Sequence, residues 1–150
     1  MSDPTAETVD YVSITRLQAA YADVVNRRAW PELDELFRPD APIHLDTVTR
    51  PVIELQGPRA LGSFVGDAIA RFEFFEFVIL NAVVDLAGDS ATGRIFMCEL
   101  RQDRESGHFS RAFGRYDDTY ARVDDRWWFA ARSYRSLART GRDEVFPPPA

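Results

Sequence analysis

The side chains best placed for chemistry on a small molecule are Asn26, His44, Asp46, Tyr116 and Asp118. Asn26 closes an apolar helical stripe, and its amide can both donate to and accept from a ligand carbonyl or hydroxyl. Its plainer reading is a helix-end residue bonding nearby backbone. Tyr116 and Asp118 are two apart in a strand pattern and share a face with Gly114 and Ala112. Small residues beside a phenol and a carboxyl suit a concave ligand surface. Burial would raise the Asp118 pKa toward acid–base use, whereas a rim position would pair it with an Arg. His44 and Asp46 share one face of an earlier strand, the arrangement of a general base, with Leu45 on the other face.

Other polar residues have simpler readings. Glu99, Arg101 and Asp103 alternate opposite Cys98 and Leu100, as a charged row facing outward or toward a partner subunit and paired with Arg111 or Arg115. Cys98 reads as a small buried hydrophobe without a His partner. His108 sits in a turn beside Gly107 and reads as solvated.

Composition removes several classes of function. A net charge of -6 without a basic stripe argues against nucleic-acid binding. The apolar stretch from Phe74 to Leu86 is interrupted by Glu76, Asn81 and Asp85, too soon for a membrane helix. The N-terminus lacks a basic region followed by an apolar core, so no signal peptide is expected. A lone Cys98 excludes an intrachain disulfide and fits a reducing cytoplasm. All 18 basic residues are Arg, so no lysine is present for a Schiff base. The two His and one Cys are too few for a His/Cys zinc site, and no phosphate-binding glycine loop or nucleophile elbow occurs. A carboxylate-rich Mg or Ca site stays open without a motif for it, and no metal site or cofactor is assigned.

At 150 residues the chain reads as one domain, 1–139, followed by a flexible proline-rich tail, 140–150. Asp3-Pro4 starts a helix whose stripe is Ile14, Leu17, Tyr21, Val24 and Val25. Pro31 opens a short second helix, and Pro39 ends it. Strands are predicted at Ile43–Val48 and Val52–Leu55, then a helix from Gly57-Pro58 striped by Leu61, Phe64, Val65, Ala68, Ile69 and Phe72. Glu73–Leu86, apolar on both faces, reads as a covered central strand. Ala91–Arg104, Phe109–Val123 and Trp127–Leu137 complete an antiparallel meander through short turns.

Three marks then occur in order: Tyr21 to Ala41; Asn81-Ala82-Val83-Val84-Asp85 with Gly88-Asp89; and Tyr116-x-x-x-Tyr120-x-x-Val123-Asp124-Asp125-Arg126-Trp127-Trp128-Phe129. Together they resemble a SnoaL-like domain of the nuclear-transport-factor-2-like superfamily, in its scytalone dehydratase and polyketide cyclase-like branch. The resemblance covers Thr8 to Leu137. It implies an α+β fold: three N-terminal helices packed on a strongly curved, mostly antiparallel sheet that forms a cone-shaped pocket. The implied lining is Tyr21, Val25, Asn26, Leu45, Phe77, Cys98 and Tyr116.

In the dehydratase-like branch, an Asp near the end of the first helix works with a His four residues before an Asn on the long strand. A second His lies on the next strand. This chain has Asn26 and Phe77 at the first two positions, and Met97 or Cys98 near the third. Asn and Phe cannot exchange a proton near neutral pH. Two functions stay open. One is cofactor-independent proton transfer, or addition or loss of water, on a small apolar cyclic molecule, with Tyr116 or Asn26 holding its oxygen and Asp118 or His44 as base. The other is a non-catalytic binding or association domain; the superfamily's sheet faces often pair, so a homodimer is expected.

Overall fold

The structure, a computed structural model, describes residues 3–141 and 143–149. Met1, Ser2, Arg142 and Ala150 lie outside the described residues, and with them part of the expected leaderless N-terminus and of the tail. Helix α1 spans Pro4–Arg27. The Asp3 side chain accepts a hydrogen bond from the Thr5 N–H at 2.9 Å and caps its start. Arg28, in the left-handed region at φ 56°, ends it. A 3-10 helix follows at Trp30–Glu35, then strands β1 (Pro42–Asp46) and β2 (Ile53–Gln56), and helix α2 (Pro58–Ile69). The long strands are β3 (Phe72–Ala87), β4 (Ser90–Asp103), β5 (Phe109–Val123) and β6 (Arg126–Arg139).

The sheet order is β2-β1-β6-β5-β4-β3, antiparallel except where β1 runs parallel to β6. The α+β reading therefore holds, with helices on one face of an open, curved sheet, and the second of the three expected helices is of the 3-10 type. Register shifts at Ile79/Asn81 in β3 and at Phe113/Gly114 and Thr119/Tyr120 between β5 and β6 mark bulges, which bend and twist strands.

Strand β3 is not central. It forms the sheet edge, and Leu80 and Val83 stay exposed on it. The two-sided apolar pattern does not mark a central strand here, because one side faces the core while the other leaves Leu80 and Val83 exposed. The tail lies along the sheet: Glu144–Val145 forms β7 against Ala138 and Arg139, and the Phe146 N–H donates to the Leu137 carbonyl at 2.9 Å.

The core fills the space between α1 and the concave sheet face. Ile14, Leu17, Tyr21, Val24 and Val25 meet Ile43, Leu45, Phe77, Ile95, Met97, Tyr116, Tyr120 and Phe129 there. Glycines make room for two of the tyrosines. A Cβ on Gly93 would stand 2.7 Å from the Tyr120 ring, and one on Gly114 would stand 2.2 Å from the Tyr134 ring. These are the close approaches that only glycine permits in a strand.

Candidate functional site

The polar residues of the concave face form a track that begins at a buried ion pair. Asp118 on β5 and Arg132 on β6 are direct cross-strand neighbours. Arg132 donates from Nε and Nη2 to the two Asp118 oxygens at 2.8 and 2.9 Å, and neither side chain reaches solvent. The Tyr120 hydroxyl donates to the same carboxylate at 3.0 Å and accepts from Gln18 of α1 at 2.9 Å. The Asp118 carboxylate is thus engaged by three donors.

The Arg132 guanidinium lies over aromatic rings, 4.0 Å from the Tyr116 centroid, 4.2 Å from Tyr21 and 4.5 Å from Phe129. Burial disfavours its charge, but Asp118 more than offsets this and holds the guanidinium protonated. Its Nη1 is buried without a hydrogen-bond partner among the described residues.

Tyr21 packs edge to face on Phe77 and Tyr116 around this pair, and Phe77 and Tyr116 lie tilted to each other, with centroids 5.5 to 6.2 Å apart. Burial raises the hydroxyl pKa of Tyr21 and drives that of Tyr116 well above its ordinary value. Tyr134 packs 5.0 Å from Tyr116, and burial pushes its hydroxyl up to about 12. All three are neutral donors at neutral pH.

Glu99 lies farther along the track. The register is unbroken along β4, so Ile95, Met97, Glu99 and Arg101 share the concave face, with Phe77 opposite Glu99. The expected outward row is therefore corrected for Glu99 and Arg101: Met97 is core, and parity carries both inward with it, while Asp103 holds the turn at Ser106. Only 23% of the Glu99 side chain is exposed, and 14% of Arg101. The Glu99 carboxylate makes no hydrogen bond among the described residues. Its nearest cation is Arg101, with Nη1 3.9 Å away, not Arg111 or Arg115. Arg115 pairs with Asp117 at 2.9 Å instead. Burial raises the Glu99 carboxyl above the usual glutamate value, and Arg101 and Arg139 pull it partly back.

Asn26 grips the edge strand. Its Oδ1 accepts from the Phe77 N–H at 2.6 Å, and its Nδ2 donates to the Phe77 carbonyl at 3.2 Å. One side-chain amide here satisfies both backbone groups of one edge residue. Tyr21, Val25, Leu45, Phe77 and Tyr116, which the resemblance made a ligand lining, are buried in the hydrophobic core. His44 does not join them. It is 44% exposed on the convex face and meets Glu54 across β1 and β2 at 2.6 Å. Asp46 pairs with Arg135 at 2.7 Å. Strand alternation puts Cys98 on the face opposite Met97, and burial pushes its thiol pKa up, away from the nucleophilic thiolate.

Sequence reasoning missed Arg132 and Glu99. The convex face carries two shallow hollows that share Asp117 and Ser133. One, about 350 Å³, is lined by Asp85, Thr92 and Arg94; the other, about 250 Å³, by His44, Asp46 and Arg135. Among the described residues no cluster of His, Cys, Asp or Glu has metal-binding form, and no helix is long and apolar enough to cross a membrane.

The chain is 26% identical over 125 residues to an uncharacterised protein of Mycobacterium tuberculosis, covering 81% of this chain and 82% of that one. Its fold is similar to that of a putative scytalone dehydratase from Novosphingobium aromaticivorans, with TM-score 0.81 and 19% identity over 97% of this chain and 94% of that one. It is also similar to that of a type 3 hexachlorocyclohexane dehydrochlorinase from Novosphingobium barchaimii, with TM-score 0.80 and 18% identity over 98% and 100%. The family model described as a SnoaL-like domain matches residues 6–133, and the chain belongs to that family.

Proposed function

We propose that the chain acts on a small, largely apolar, cyclic molecule beside Glu99 on its concave face, with Glu99 as the proton-transfer group. The observation that carries this reading is an enclosed carboxylate without a hydrogen bond, facing an aromatic interior yet still partly open. A raised carboxyl pKa brings a general base toward the operating pH. His44 is on the wrong face for this task, and the Asp118 oxygens are already engaged. The two structural relatives named for loss of water and of hydrogen chloride, together with the reach of Glu99, support proton abstraction followed by elimination or isomerisation. Tyr134 and Tyr116, neutral and nearby, would donate to the oxygen that gains charge. The chemistry needs no cofactor.

Exchange of cyclohexanone α-protons in deuterium oxide, followed by proton NMR, tests this reading. Wild-type protein should accelerate exchange, and Glu99→Gln should reduce the acceleration by about 10²-fold or more. Equal rates in the two proteins, or no acceleration by wild type, would defeat it.

The exposed apolar residues Leu80 and Val83 on edge strand β3 favour a second role, self-association into a dimer. Light scattering at micromolar concentration, with Leu80→Glu as control, tests that role. A wild-type monomer would count against it.

A further inference from the structure

We infer that the molecule bound beside Glu99 carries a carboxylate, and that Arg101 receives it. The inference rests on the pocket reading above and deepens it. Arg101 is enclosed on the concave face beside Glu99. Its Nε donates to the Ser110 hydroxyl at 3.2 Å, and its guanidinium lies 5.2 Å from the Phe72 ring centroid. Its two terminal nitrogens make no hydrogen bond among the described residues, and the nearest carboxylate oxygen is 3.9 Å away. A covered guanidinium whose fork is not matched by a carboxylate is an anion site waiting for its partner.

The surroundings reinforce the sign. Arg71 lies over the same Phe72 ring at 4.7 Å, and Arg28 donates to the Phe72 carbonyl at 2.7 Å. Arg139 reaches the carbonyl of Thr47 and the hydroxyl of Thr49, and approaches Glu144 at 3.8 Å. Of the nearby carboxylates, Asp103 is occupied by the turn at Ser106 and feels Arg71, and Glu73 is paired with Arg104 at 3.0 Å. A bound carboxylate would meet Arg101 in surroundings that already hold Arg71 and Arg139. The aromatic side of the track, Phe72, Phe77 and Tyr134, would take the apolar ring of the same molecule. Orientation follows from this arrangement. With the anion on Arg101, the ring extends along β4 past Glu99, which places a ring C–H beside the proposed base.

The test compares binding of cyclohexanecarboxylate and cyclohexanecarboxamide to the intact chain by ligand-observed NMR and calorimetry. The two probes share a ring and differ in charge. Wild type should bind the carboxylate at least tenfold more tightly. Arg101→Gln should abolish that preference, and Arg101→Lys should keep part of it. Circular dichroism serves to check that each variant is folded. Equal binding of both probes, or a preference that survives Arg101→Gln, would overturn the inference and leave the pocket reading standing. Binding of neither probe would overturn both.

Discussion

Arg132 and Asp118 meet side by side across β5 and β6, two contacts of 2.8 and 2.9 Å closed off from water. Such a pair adds little over an apolar pair of the same volume, but it is costly to break, because the surviving charge stays buried. Asp118→Asn should therefore lower unfolding free energy by about 3–5 kcal/mol in urea denaturation, while Asp118→Leu combined with Arg132→Met should recover most of the loss. A loss below about 1 kcal/mol for the single change, as for an exposed pair, would contradict the buried geometry.

The Asn26 amide is matched to Phe77 on both sides. Asn26→Asp keeps the acceptor for the Phe77 N–H but removes the donor for its carbonyl and sets a carboxylate against it. The expected cost is about 1–3 kcal/mol, with faster amide hydrogen exchange along the adjoining part of β3. Unchanged stability would mean that Asn26 does not hold the strand, which would return it to the list of ligand-binding candidates.

Gly114 and Tyr134 occupy overlapping space. Gly114→Ala must push the Tyr134 ring aside, since the new Cβ would lie 2.2 Å from it. Overpacking of this kind costs about 1–3 kcal/mol. Adding Tyr134→Ala should remove most of that cost, so the double variant should be clearly less destabilised than the sum of the two single changes. Strict additivity in thermal or urea unfolding would show that the two residues do not compete.

Glu99 gives stability a definite pH dependence. Its folded pKa lies above the unfolded value, so between the two the folded state holds the extra proton. Its contribution is full below the unfolded pKa and is lost as pH rises through the folded one. Glu99→Gln should consequently stabilise the protein relative to wild type at neutral pH, with the difference shrinking in acid. A Glu99→Gln protein less stable than wild type at pH 7 would contradict that sign.

Much of this molecule can be read from its residues. Asp3-Pro4, the proline before each following helix, and the turns at Gly88-Asp89 and Asp124-Asp125 put nearly every element within a few residues of its place. The inward set Tyr21, Val25, Leu45, Phe77 and Tyr116 follows from periodicity together with the family resemblance. Glu99 was misplaced because charge was taken to mean solvent. The usable signal was parity, since Ile95, Met97 and Glu99 must face the same way. Arg132 was missed for the same reason; only cross-strand register reveals that Asp118 stands opposite it. The position of β3 at the edge depends on strand order, which an apolar pattern does not encode.

The most direct measurement is a carbon-13 NMR titration of the Glu99 carboxyl, run with and without cyclohexanone. The proposed proton-transfer site predicts a pKa above that of an ordinary glutamate and a shift when the ketone binds. An ordinary pKa that does not respond to the ketone would describe a solvated surface carboxylate and contradict the account.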